Sequence, residues 1–114
     1  MRKSRIASIA HEDSLLSEIT SRLVRAYQPE CVYLFGSMAR GDAGPDSDYD
    51  ILLVVPDDAA PEALSARLAY DVLWGLRTSA DVHILQRGKF DSRLHLKASL
   101  PATIAREGKL LYAA

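Results

Sequence analysis

From residue 13 to about residue 27 the apolar side chains Leu15, Leu16, Ile19, Leu23 and Val24 recur at helical spacing, which predicts an amphipathic helix. The stretch before it, 1–12, is basic and then polar and reads as a loose arm or a first helical turn. Asp13 suits the N-cap. Gln28-Pro29 ends the helix, because proline disfavours helical geometry in the residue before it. The pattern then becomes continuous. Cys31-Val32-Tyr33-Leu34-Phe35 is a short run of strand formers stopped by Gly36. Ser37 to Arg40 fits one helical turn, and 41–46 is a loop on composition. A second strand covers 49–55, and Ile51-Leu52-Leu53-Val54-Val55 is apolar without a gap. Such a run implies cover on both faces of the sheet.

After Pro61, a residue suited to a first helical position, Leu64, Leu68, Val72 and Leu76 recur every four residues. They predict a helix to about Arg77. Val82-His83-Ile84-Leu85, preceded by Asp81, reads as a third strand, and 86–89 as a loop. Short helices follow at 91–98 and 101–107, the second ended by Gly108. Leu110-Leu111-Tyr112 adds an optional last strand. The elements describe an α/β (α+β) domain, a small mixed sheet flanked by helices. A chain of 114 residues has the size of one domain, 1–114. The first two strands are too far apart for a tight hairpin, so the loop between them is where function is expected.

Net charge is −1, which leaves no electrostatic footprint for nucleic acid, and direct DNA binding is not expected. The distribution says more. Residues 28–81 carry ten acidic and three basic side chains, whereas 82–114 carry two acidic and six basic. An acidic middle is either a solvated face or a cation site. The single cysteine, Cys31, excludes an intrachain disulfide, and its apolar surroundings suggest a buried thiol. No 18-residue apolar stretch and no signal-peptide pattern are visible, so the cytoplasm is the expected compartment and no membrane is involved.

The chemistry concentrates in Gly36-Ser37 and Asp48-Tyr49-Asp50. Side chains alternate along a strand, so Asp48 and Asp50 project from one face while Tyr49 and Ile51 point to the other. Adjacent carboxylates repel and raise each other's pKa. A divalent cation offsets that cost, because Mg²⁺ prefers carboxylate oxygen. A bare Asp-x-Asp is usually just a solvated pair, so the upstream turn matters. Gly36 follows a strand and opens a turn whose backbone N–H groups can cradle a phosphate. The Ser37 hydroxyl can add a hydrogen bond, and Arg40, one turn on, can reach the same anion. Asp81 opens the third strand. If that strand neighbours the second, three carboxylates share a face and can hold two metal ions. His83 shares the face of Asp81 and reads as a polar residue lining an open sheet, with contact to nucleotide or acceptor as the alternative. Trp74 and Tyr70 read as core or interface residues.

The string Leu34-Phe35-Gly36-Ser37-Met38-Ala39-Arg40-Gly41, followed by Ser47-Asp48-Tyr49-Asp50-Ile51-Leu52, resembles the nucleotidyltransferase superfamily that includes DNA polymerase β. More narrowly it is similar to the minimal nucleotidyltransferases, or MNT proteins. The resemblance implies a polymerase β palm-like fold with Asp48, Asp50 and Asp81 as catalytic metal ligands. It implies Gly36 and Ser37 on the β- and γ-phosphates of a nucleoside triphosphate, with Arg40 assisting. The implied cofactors are two Mg²⁺ ions, with Mn²⁺ as an alternative, and ATP is the implied substrate. Many MNT proteins pair, as antitoxin, with a helical HEPN toxin and either adenylylate its tyrosine or block it by contact. That implies either an adenylyltransferase acting on a HEPN partner or a non-catalytic antitoxin or regulatory subunit; a homo-oligomer stays open.

Overall fold

The structure, a computed structural model, describes residues 13–42, 44, 48–76 and 78–114. The basic arm at 1–12, the middle of the loop after Gly41, and Arg77 lie outside the described residues. Helix α1 spans Ser14–Tyr27, strand β1 Cys31–Phe35, helix α2 Gly36–Arg40 and strand β2 Tyr49–Val55. A 3₁₀ turn at Pro61–Leu64 precedes helix α3, Ala66–Val72, and strand β3, Ala80–Gln86. Helix α4 (Arg87–Ser92), helix α5 (Leu100–Glu107) and strand β4 (Lys109–Ala113) complete the chain.

The strands form one mixed sheet in the order β3-β2-β1-β4. β1 runs antiparallel to both β2 and β4, while β2 and β3 are parallel. The expected fold class is therefore observed. This topology brings the C-terminal end of β1 beside the N-terminal ends of β2 and β3. One row of the sheet there reads Phe35, Asp50, Asp81, and the next row on the same face reads Tyr33, Leu52, His83.

The unbroken apolar run in β2 is covered on both faces, as its composition predicts. Ile51, Leu53 and Val55 pack with Leu16, Ile19 and Leu23 of α1 and Ala69 of α3. Leu52 and Val54 pack with Phe90 of α4 and Ile104 of α5. All five of these β2 residues are fully buried. Each such side chain contributes about 1.5–3 kcal/mol of apolar transfer free energy, so β2 is the most firmly held strand. Asp13 caps α1, its Oδ1 accepting from the Leu15 and Leu16 amides at 3.0 Å. Gln28 closes the helix in a left-handed conformation, φ 50°, with its N–H on the Val24 carbonyl.

Four expectations are corrected. The helix predicted from Pro61 to about Arg77 breaks at Ser65, whose hydroxyl accepts from the Arg67 amide at 3.2 Å and starts a new, shorter helix. Leu64, counted as part of the apolar stripe, is exposed. The loop predicted at 86–89 is instead the start of α4. Arg87 anchors it by donating to Glu30 at 2.8 Å and to Cys31 Sγ at 3.3 Å. Cys31 is accordingly half-buried rather than enclosed, and Phe90 stacks on Tyr33 at 5.8 Å. The helix predicted at 91–98 reduces to turns beyond Ser92, where Leu94 and Leu96 are exposed. Gly108 ends α5 as expected, with φ −77°. A side chain there would press on the Ile104 and Leu34 carbonyls, so close approach is the reason for glycine.

Candidate functional site

Where β1 ends, the chain turns directly into α2. Gly36 makes this turn with φ +73°, a conformation that side chains disfavour. It also lies against β2: a Cβ at residue 36 would collide with the Asp50 carboxylate. Glycine is required twice over, by the backbone angle and by the carboxylate packed on it. Ser37 follows as the second residue of α2, partly exposed. The first amides of a helix lack intrahelical partners, so this turn offers N–H donors beside Asp50.

Asp50 and Asp81 are direct partners in the parallel register of β2 and β3. His83, two residues along β3, projects from the same face as Asp81. Its Nε2 lies 3.3 Å from Asp81 Oδ2, and its ring tilts against Phe35 at 5.6 Å. Among the described residues, Asp50, Asp81 and His83 form the group whose ligand atoms all lie within 4.8 Å of one another. Two carboxylates and an imidazole at this separation fit a divalent cation.

Asp48 stands just before β2 and is exposed, outside that group. Its charge still reaches the centre. Burial raises the Asp50 carboxyl above its ordinary value, and the neighbouring Asp81 and Asp48 charges push it the same way. His83 and Arg40 oppose them. Arg40 itself is exposed and directed elsewhere: Nε contacts Asp42 at 3.3 Å and Nη1 contacts Glu107 at 3.8 Å. Exposed pairs of this kind are worth at most about 1 kcal/mol, so an incoming anion can draw the guanidinium away.

Asp13 connects the site to α1. Tyr49, between Asp48 and Asp50 in sequence, donates from its hydroxyl to Asp13 Oδ2 at 2.7 Å. The same carboxylate that caps α1 therefore holds the start of β2 in place.

On the edge of the site a cavity of about 750 Å³ opens between α3 and β3. Asp48 and Asp81 line its polar end, and Ala69, Leu73, Leu76 and Val82 supply apolar wall. Tyr70 and Trp74 also line it, yet they are 76% and 85% exposed. Of the two sequence readings of these aromatics, core or interface, the exposure rules out core: Trp74 lies past the end of α3, and both rings face outward.

The sequence placed His83 on the face of Asp81 but not beside Asp50. Its i+2 spacing from Asp81 was the available signal, and only the strand register shows that both meet Asp50.

The sequence profile described as "Nucleotidyltransferase domain" matches residues 16–109. No curated protein gives a significant match. Several solved structures are similar. A candidate nucleotidyltransferase from Sulfolobus solfataricus is 24% identical with a TM-score of 0.60, covering 99% of this chain and 92% of that one. A toxin–antitoxin structure with AMP-PNP is 25% identical with a TM-score of 0.56, covering 84% of this chain and 72% of that one. A toxin–antitoxin MntA–HpeT mutant is 21% identical with a TM-score of 0.53, covering 83% of this chain and 71% of that one.

Proposed function

Since the chain belongs to the nucleotidyltransferase domain family, we propose that it moves AMP from ATP to a hydroxyl of a partner protein, as the antitoxin of a toxin–antitoxin pair. The observation that carries this reading is the row Phe35, Asp50, Asp81 with Gly36 folded onto the Asp50 carboxylate. A phosphate-accepting turn and a paired-carboxylate centre then share one end of the sheet.

In this reading Asp50 and Asp81 hold divalent cation, Mg²⁺ or Mn²⁺, with Asp48 completing the set once nucleotide is present. Bound cation neutralises triphosphate charge and makes the acceptor hydroxyl more acidic. The chain's own groups do the rest. Gly36 lets the backbone approach the β- and γ-phosphates, and the Ser37 hydroxyl donates to them. Arg40 leaves its surface pairs to meet the same charge. Asp81, the more exposed of the paired carboxylates, faces the acceptor side and receives the hydroxyl proton. The acceptor oxygen attacks the α-phosphorus, the bond to the bridging oxygen breaks, and pyrophosphate leaves. Positioning and charge neutralisation supply the rate.

Likeness to a toxin–antitoxin structure holding AMP-PNP supports ATP as donor and a toxin as acceptor. We place the acceptor on a tyrosine of a helical HEPN partner. The cavity beside Asp81, with Tyr70 and Trp74 at its mouth, supports a protein acceptor docking there. The same exposed rings favour a second reading, in which the chain neutralises its partner by contact alone. The two readings separate by experiment. With Mg²⁺ and labelled ATP, the wild type should label a co-expressed partner, whereas the double variant Asp48→Ala, Asp50→Ala should bind it without labelling. Equal labelling by both proteins would defeat the assignment.

No helix among the described residues is long and apolar enough to cross a membrane. We propose that the chain works as one domain in the cytoplasm.

A further inference from the structure

Resting on the cation site proposed above, we propose that His83 is a nitrogen donor of that site and shifts its preference from Mg²⁺ toward a first-row transition dication such as Mn²⁺. Three placements support this. Strand alternation puts Asp81 and His83 on one face of β3, and the parallel register puts Asp50 beside Asp81. The ligand atoms of all three residues lie within 4.8 Å of one another. Donors about 2.1 Å from one ion stand roughly 3–4.5 Å apart across it, so the group needs only slight contraction to close on a cation.

The imidazole is accessible and oriented. Its side chain is 43% exposed, open to an ion arriving from solvent. The tilted contact with Phe35 limits how the ring can turn, and Nε2 faces the Asp81 carboxylate at 3.3 Å. A simple ion pair between two exposed groups is worth little, whereas a shared cation gives both the imidazole and the carboxylate a strong partner. The donor type decides the selectivity. Mg²⁺ keeps to oxygen ligands and gives up its water reluctantly. Transition dications accept imidazole nitrogen, with affinity rising along the first row. Asp50 and Asp81 oxygens alone discriminate less, so His83 adds the nitrogen-dependent part of the preference.

The test compares wild type, His83→Leu, His83→Gln and Asp50→Asn with Mn²⁺ as the probe. Free Mn²⁺ is counted by electron paramagnetic resonance, Mg²⁺ is titrated in as competitor, and spin-echo modulation detects nitrogen bound to the manganese. Wild type should show nitrogen coupling. In both His83 variants that coupling should vanish and Mn²⁺ affinity should drop about tenfold, while Mg²⁺ affinity stays within about twofold. His83→Gln serves should leucine disturb the sheet face. Equal weakening of Mn²⁺ and Mg²⁺ without nitrogen coupling in the wild type would mean that His83 only steadies Asp81. Coupling that survives in the His83 variants would assign the nitrogen to another histidine. Either result overturns the inference and leaves the Asp50–Asp81 cation site standing. Mn²⁺ binding that Asp50→Asn leaves untouched would remove both.

Discussion

Asp50 and Asp81 face each other across the parallel pairing of β2 and β3, so two carboxylates occupy one row of the sheet beside the Gly36 turn. Burial, with Asp81 and Asp48 adding to it, holds the Asp50 carboxyl above its ordinary value. A carboxyl raised in the folded state favours its neutral form there, so at neutral pH its charge lowers stability. In chelator, Asp50→Asn should therefore unfold about 2–5 °C above wild type. Added Mg²⁺ should raise the wild-type midpoint and leave the variant unchanged. Thermal unfolding in both buffers checks this, and a variant less stable than wild type in chelator would count against it.

Gly36 tolerates no side chain, for the two reasons its position combines. Gly36→Ala forces a left-handed conformation and drives a methyl group into the Asp50 carboxylate. The expected cost is about 1–3 kcal/mol of stability. Displacement of Asp50 should lower the transfer rate about a hundredfold. Chemical denaturation and single-turnover transfer measure the two separately. An alanine variant with wild-type rate would show that the turn does not position the carboxylate.

The Tyr49–Asp13 hydrogen bond should make stability fall at both ends of the pH scale. Burial works to raise the Asp13 carboxyl, but hydrogen bonds from Tyr49 and the Leu16 and Leu15 amides outweigh it and leave it below 3.8. Its contribution is therefore present above that value and is lost as the pH falls through the lowered one. Burial, the hydrogen bond to Asp13 and the charge of Asp13 push the Tyr49 hydroxyl up from 10.0 to about 12. That contribution is present below pH 10 and is lost on rising toward 12. Tyr49→Phe should cost about 1–2 kcal/mol at neutral pH and reduce the alkaline loss, leaving the share of Tyr27 and Tyr33, whose hydroxyls burial also raises. Denaturation midpoints across the pH range decide it.

The parts of this fold governed by local pattern were legible in the sequence. α1 had its stripe and its Asp13 cap, and β2 its gapless apolar run. The Gly36-Ser37 turn was readable from its place after a strand, whereas Asp48, expected beside Asp50 from strand alternation, stands outside the Asp50–Asp81–His83 group. Long-range packing was not readable. α4 forms because Arg87 reaches Glu30 and Cys31, far away in sequence, and because Phe90 finds Tyr33. The break at Ser65 was masked by leucines that kept a helical period through it. His83 looked like an ordinary surface residue because its meaning depends on which strand lies next to β3.

Trp74 is the single tryptophan of the chain and stands at the cavity mouth, 85% exposed. Its free emission should be that of a water-exposed indole. Docking of a protein acceptor beside Asp81 should shift it to shorter wavelength. Trp74→Ala should weaken partner binding about tenfold or more, as buried aromatic anchors do, with little change in unfolding temperature. Unchanged emission on complex formation would place the partner elsewhere on the surface.

The sharpest test follows the phosphorus atoms. Wild type and its partner are incubated with Mg²⁺ and ATP labelled on either the α- or the γ-phosphate. A nucleotidyl transfer centred on Asp50 and Asp81 puts α-label on the partner and releases γ-label as pyrophosphate, and Asp81→Asn abolishes both. Label reaching the partner from the γ-phosphate, or α-label transferred undiminished by Asp81→Asn, would contradict the account.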